Sequence, residues 1–387
     1  MSKRSDILCL SHLRWGFVFQ RPNHLMTLAA RDRRVFFVEE PVYGASTAEL
    51  EVREEAPNLF VVVPRLPNDV AARNCALQAQ LLSDLALART IVDPVLWFYT
   101  PMALEFARGV RASVTVYDCM DELSAFHGAP PAISILESEL FERADVVFTG
   151  GHSLYQAKRD RHPNIHPFPS SVDIKHFARA RERQADPGDQ APIERPRLGY
   201  FGVIDERLDM RLIARIADAR PAWQIVLVGP VVKIDASTLP QRPNIHYLGQ
   251  KSYDELPQYL AGWDVAMMPF AQNDATRFIS PTKTLEYLAG GRPVVSTPVR
   301  DVVKPYGERG LVAVANPDDF VGAVESALRS GFHARGADID AFLAKTSWQA
   351  TWEKMAGLVE TEQQRKLFRN SGVRTLTPAA KGSVARV

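Results

Sequence analysis

The 387-residue chain is too long for one ordinary core and suits two domains. Its charged fraction of 24% and net charge of +1 exclude a strong global field of the kind that marks a nucleic-acid-binding protein. The three cysteines, Cys9, Cys75 and Cys119, have neither CxxC nor metal-ligand spacing, and Cys9 and Cys119 read as buried thiols in a reducing compartment. Met1–Asp6 is short and charged with no apolar region behind it, and no apolar run approaches the ~20 residues of a membrane span. A cytoplasmic protein is expected.

In chain order, Ile7–Leu10, Val35–Val38, Leu59–Pro64, Val95–Tyr99, Val114–Tyr117 and Val146–Thr149 are short runs rich in Val, Ile and aromatics, without strict alternation. Such runs fit strands buried on both faces. Helices are predicted at Gln20–Arg31, with Pro22 in the first turn, and at Ile133–Arg143. The polar, proline-containing stretch at 179–196 reads as a linker. Beyond it the pattern restarts, with strands at Leu198–Phe201, Ile225–Val228, Ile245–Tyr247, Val265–Pro269, Val294–Ser296 and Leu311–Val314. Helical patterns lie between them at Met210–Ala219, Asp254–Ala261, Thr282–Ala289 and Asp318–Arg329. The expected organisation is an α/β fold of two Rossmann-like domains, 1–178 and 197–346, facing a central cleft. A helix at 347–364 packs across their junction. The remainder, 365–387, carries Arg365, Lys366, Arg369, Arg374, Lys381 and Arg386 and no acidic residue. It reads as a disordered tail, either solvated or touching a membrane surface.

Ile279–Pro298 carries the most chemistry. Ser280 is expected as the N-cap and Pro281 at the first helical position, with Gly290 or Gly291 ending the helix. Lys283 falls in the first turn, where a cation opposes the helix dipole unless an anion such as a phosphate binds there. Glu286 lies three residues on, on the same face, and a carboxylate there is able to accept two hydroxyl hydrogen bonds from a ribose. An ordinary Lys–Glu helix pair is the alternative. Neither half has GxGxxG after a strand, and GxxxxGK[ST] is missing, which disfavours a nicotinamide dehydrogenase and a P-loop NTPase.

The stretch ISPTKTLEYLAGGRPVVSTP resembles the donor-site motif of the group 1 (family 4) glycosyltransferases, whose fold is called GT-B. PSSVDIKHF, GYFGVIDERLDMRLI and SYDELPQYLAGWDVAMMPF are similar to other segments of that family, in the same order. WGFVFQRPNHLM and YDCMDEL resemble a subgroup associated with exopolysaccharide, capsule and cell-wall polymer assembly. The resemblance runs to about Trp352. It implies a nucleotide-diphosphate sugar as donor, UDP-sugar foremost, a glycan or lipid-linked acceptor, and retention at the anomeric carbon. It implies no cofactor, no metal and no nucleic acid. Donor contacts would come from Gly202, Ser280, Thr282, Lys283 and Glu286. Of the family's two glutamates seven residues apart, the second falls on Glu286 and the first on Phe278, so the usual carboxylate for the donor sugar is absent. The family's diphosphate-binding Arg position falls on Val203, with Arg207 near the Lys position, so the charge on the leaving group is assigned to Arg207 and Lys283.

His127, which follows the strand Val114–Tyr117, is the candidate for the family's histidine beside the donor sugar; simple exposure is the alternative. On the acceptor side the candidates are Arg14, Trp15, Gly16, Arg21 and Asp121, with packing for Trp15 and salt bridges for the arginines as the plainer readings. Asp338-Ile339-Asp340 follows no strand and does not look like a metal site. Peripheral contact with the inner face of the membrane through the basic tail remains open. So do two rival functions on the same fold, a nucleotide-sugar 2-epimerase and a non-catalytic scaffold subunit.

Overall fold

The computed structural model describes residues 4–70, 73–331 and 336–370. Among these, nine strands form a first sheet: β1 (Ile7–Leu10), β2 (Val35–Val38), β3 (Val42–Tyr43), β4 (Glu49–Ala56), β5 (Leu59–Leu66), β6 (Val95–Phe98), β7 (Val114–Cys119), β8 (Val146–Thr149) and β9 (Ile165–Pro167). Their order is β3-β5-β2-β1-β6-β7-β8-β9, and all these pairings are parallel. β4 pairs with β5 antiparallel at the edge. Six further strands form a second, wholly parallel sheet: β10 (Arg197–Phe201), β11 (Gln224–Val228), β12 (Ile245–Gly249), β13 (Val265–Met268), β14 (Val294–Ser296) and β15 (Ala313–Val314), in the order β12-β11-β10-β13-β14-β15.

The continuous apolar runs have the expected cause. Alternate residues of a strand point to opposite faces, and helices cover both. Ile7 and Cys9 of β1 join one core cluster of the first sheet, while Leu8 and Leu10 join the other. The helix Trp348–Asn370 returns from the second sheet to cover the first, burying Trp348, Trp352, Met355 and Val359 in the Ile7/Cys9 cluster. Their spacing of four, three and four residues places them on one helical stripe.

Three expectations need correction. The stretch read as a linker is bound along the second sheet's domain: Gln190 is fully buried, donates to the carbonyl of Tyr259 and accepts from the Trp263 indole. Asp186 and Asp189 pair with Arg197 and Lys251 of that domain, while Glu182, Arg183 and Glu194 are exposed. Arg365, Lys366 and Arg369 are not in a disordered tail but in the last helix, where Lys366 pairs with Asp145 at 2.8 Å. Arg374, Lys381 and Arg386 lie outside the described residues. Thirdly, β4, β9 and the helix Asn74–Ala88 were not expected.

Candidate active site

Each sheet reverses direction at its first strand: β1 lies between β2 and β6, and β10 between β11 and β13. Loops leaving the carboxyl ends of such strands open onto a crevice, the usual ligand position in parallel sheets. Here the two crevices face each other across a cleft of about 660 Å³. Trp15, Gly16 and Gln20 line it from the first domain, and Gly202, Arg207, Lys283 and Glu286 from the second. A smaller cavity of about 100 Å³ adjoins it. The two share Gln20, Arg207, Thr282 and Lys283, and the smaller adds Asp121 and Ser280.

The helix Thr282–Ala289 spans the residues of the helical pattern, but its cap differs from the expectation. Pro281, not Ser280, holds the N-cap position, at φ −69° and ψ 119°. The fixed proline φ suits that extended residue as well as a first helical one. The Ser280 carbonyl accepts a hydrogen bond from Ser170 Oγ of the first domain at 2.8 Å. No side chain caps this helix end, so its first-turn N–H groups face the cleft with the positive end of the helix dipole. Gly291, at φ +71°, closes the other end.

Lys283 lies over the buried Tyr200 ring, its Nζ 5.6 Å from the centroid. Burial lowers its pKa and the nearby Arg207 adds to this, against the pull of Glu286. Burial raises the pKa of Glu286, with Lys283 opposing. An extra negative charge in the cleft would therefore relieve the Lys283–Arg207 repulsion. Arg207 is not a solvated side chain. Its Nε lies 2.9 and 3.0 Å from the two Asp205 carboxylate oxygens, its Nη2 2.6 Å from Oδ2, and its N–H also donates to Oδ1. Burial works against its charge, but Asp205 outweighs burial and holds the guanidinium pKa above its ordinary value. Phe126 of the first domain stands between Arg207 and Lys233, whose charged ends lie 5.6 and 5.0 Å from the ring centroid.

The first-domain candidates separate. Trp15 is buried edge-on against Phe37, with one side reaching the cleft, and Gly16 is exposed there. Arg14 is engaged elsewhere, donating to Glu39 and to the carbonyls of Glu40 and Pro41. Arg21 is buried and spent on a two-pronged pair with Asp118, at 3.1 and 2.9 Å, and on the Phe168 carbonyl. Arg14 lines neither cavity, whereas Arg21 borders the small one with its guanidinium held by Asp118. His127 is exposed and lines neither cavity. Asp121 does reach the small cavity, opposite Lys283 and Arg207. Phe278, at the position of the family's first glutamate, packs on the core of the first domain. Sequence reasoning missed Asp205, which orients Arg207, and Tyr253, which stacks on Phe19 at 4.5 Å across the domain boundary. An Asp two residues before an Arg in a loop carries no signal of its own. Among the described residues no group of three or more His, Cys, Asp or Glu is placed to hold a metal ion.

Residues 195–330 match the family described as Glycosyl transferases group 1. A Bacillus subtilis (strain 168) protein named as a teichuronic acid biosynthesis glycosyltransferase, TuaH, is 27% identical over 240 residues. That match covers 55% of this chain and 58% of the relative's length. Sucrose-phosphate synthase from Thermosynechococcus elongatus superposes with a TM-score of 0.70 at 15% identity, over 95% of this chain and 100% of that one. The α,α-trehalose-phosphate synthase (UDP-forming) of Burkholderia xenovorans, in complex with glucose-6-phosphate, gives 0.64 at 14%, over 92% and 100%. An E. coli trehalose-6-phosphate structure bound with UDP-2-fluoro glucose gives 0.67 at 14%, over 93% and 99%. Residues 195–330 are thus similar to the group 1 glycosyltransferases, and the chain as a whole has the GT-B fold.

Proposed function

We propose that the protein is a glycosyltransferase that moves a sugar from a nucleoside diphosphate, UDP in the first instance, to a glycan or lipid-linked acceptor in the synthesis of a surface polymer. One observation carries this reading: the uncapped end of the helix Thr282–Ala289, with Lys283 and Glu286 behind it, opens on a cleft where Arg207 converges from a second loop. The bond between the anomeric carbon and the diphosphate oxygen breaks, and its electron pair leaves with the diphosphate. The acceptor oxygen bonds to the same carbon and loses its proton. Arg207, Lys283 and the helix N–H groups neutralise the leaving group, and Glu286 accepts hydrogen bonds from the ribose. Attack from the face the diphosphate leaves gives retention. The polymer assignment draws on the name of the Bacillus subtilis relative.

Among the described residues no helix is long and apolar enough to cross a membrane. The proposed location is the cytoplasm. Phe278 in place of a sugar-binding glutamate favours a second reading, a non-catalytic subunit that scaffolds other enzymes.

The test is a thermal-shift screen against UDP, GDP, ADP, TDP and CMP, repeated on Lys283→Ala. A ligand at a hundred times its Kd adds about 2.7 kcal/mol of stability. A shift with one nucleotide, abolished in the variant, supports the donor site. No shift with any of the five moves the assignment to the scaffold.

A further inference from the structure

We propose that Asp121, reaching across from the first domain, is the carboxylate that accepts hydrogen bonds from the hydroxyls of the transferred sugar. This rests on the nucleotide-sugar reading above and adds a residue that selects the sugar.

Two of the charged groups around the small cavity are already paired within the protein. Arg21 is committed to Asp118, and Arg207 to Asp205. Glu286 lies beside Lys283 on the wall of the large cleft. Asp121 is different. Among the described residues its side chain makes no hydrogen bond and no ion pair; only its main-chain carbonyl accepts, from Cys119 Sγ. It is also the one carboxylate lining the 100 Å³ cavity. Burial raises its pKa, while Arg207, Arg21 and Lys283 pull it down from a distance. A half-buried carboxylate with no donor from the protein has its oxygens open to donors from a ligand.

The position selects what that ligand is. The small cavity opens from the cleft past Arg207 and Lys283, the two cations that would hold the diphosphate. A sugar esterified to the far phosphate extends beyond those cations. Sugar hydroxyls are donors, and a carboxylate accepts two of them at once. The loop leading into the helix Thr282–Ala289 does not supply this carboxylate, because Phe278 turns away onto the first domain. Asp121 also sets a sign. Its negative charge beside the phosphate-binding cations disfavours a bare nucleoside diphosphate, whereas hydroxyl donors from an attached sugar offset that repulsion. Asp121 would thus tighten donor over product.

The experiment compares Asp121→Ala and Asp121→Asn with wild type by calorimetry. The probes are the nucleoside diphosphate that stabilises wild type most and its glucosyl and N-acetylglucosaminyl esters. Expected in Asp121→Ala is a loss of ten-fold or more in affinity for the preferred nucleotide sugar, with affinity for the free diphosphate unchanged or raised. Asp121→Asn, which keeps one acceptor, falls between. Because the side chain has no intramolecular partner, unchanged thermal stability is expected and checks that the fold is intact. Equal losses for sugar ester and free diphosphate, or no change in either, overturn the assignment of Asp121 alone. Failure of wild type to bind any nucleotide overturns the nucleotide-sugar reading and this assignment together.

Discussion

Gly202 and Lys283 occupy one another's space: a Cβ on Gly202 would lie 2.2 Å from Lys283 Cε and 2.6 Å from its Nζ. Gly202 also sits at φ +134°, a conformation that side-chain-bearing residues rarely adopt. The glycine after β10 therefore serves to let the lysine stem lie across the loop. Gly202→Ala should push Lys283 out of the cleft and strain the backbone at once. The expected result is a stability loss of about 1–2 kcal/mol and at least a ten-fold loss in nucleotide affinity. Calorimetric titration alongside thermal melting separates the two effects.

Glu286 should make nucleotide affinity depend on pH. Its pKa is raised, chiefly by burial, so it takes up a proton at a higher pH than the ordinary glutamate value of about 4.3. Only the carboxylate accepts both ribose hydroxyls. Affinity should be full where Glu286 is ionised and fall as pH drops through its raised pKa. Glu286→Gln should bind several-fold more weakly at neutral pH and lose this acid limb. Titrations from pH 8 to pH 5 on both proteins give the comparison.

Arg207→Lys should behave almost as badly as Arg207→Ala. The guanidinium meets both Asp205 oxygens as a fork, and a single ammonium reproduces neither the pairing nor the orientation. Loss of one preorganised contact to a leaving group costs about 2–4 kcal/mol, or 10²–10³ in kcat. Steady-state kinetics on the two variants tests this. A lysine that restores most of the turnover would show that charge alone suffices.

His24 should make the fold acid-sensitive. Its ring stacks on Trp348 at 4.7 Å, and burial lowers its pKa to about 3, with His176 adding. The folded state thus favours the neutral ring. The resulting stability is fully present above the unfolded value of 6.5 and drains away as pH falls from there towards 3. The slope from this residue is at most about 1.4 kcal/mol per pH unit. His24→Phe should flatten the decline by that amount, as read from urea melts at pH 7, 6 and 5.

The sheets were legible because parallel strands buried on both faces leave unbroken apolar runs, as in Val35–Val38 and Val265–Met268. Glu49–Ala56 escaped because an edge strand needs only one apolar face: Leu50 and Val52 pack inward between exposed glutamates. Asn74–Ala88 escaped because its leucines and alanines surround the helix and show no stripe. Lys283 and Glu286 were legible as one turn of one helix. The Asp205–Arg207 pair and the approach of Asp121 to Arg207 were not. The first lies within one irregular loop and the second joins two domains, so no periodicity along the chain marks either.

The return of the helix Trp348–Asn370 to the first sheet has a consequence for synthesis. A ribosome that has reached residue 346 has made every strand of both sheets, yet one face of the first still lacks Trp348, Trp352, Met355 and Val359. The second domain is able to finish before the first, although it is made later. The half of the protein that is translated first is thus the last to be sealed, and its exposed face is where a chaperone would be needed.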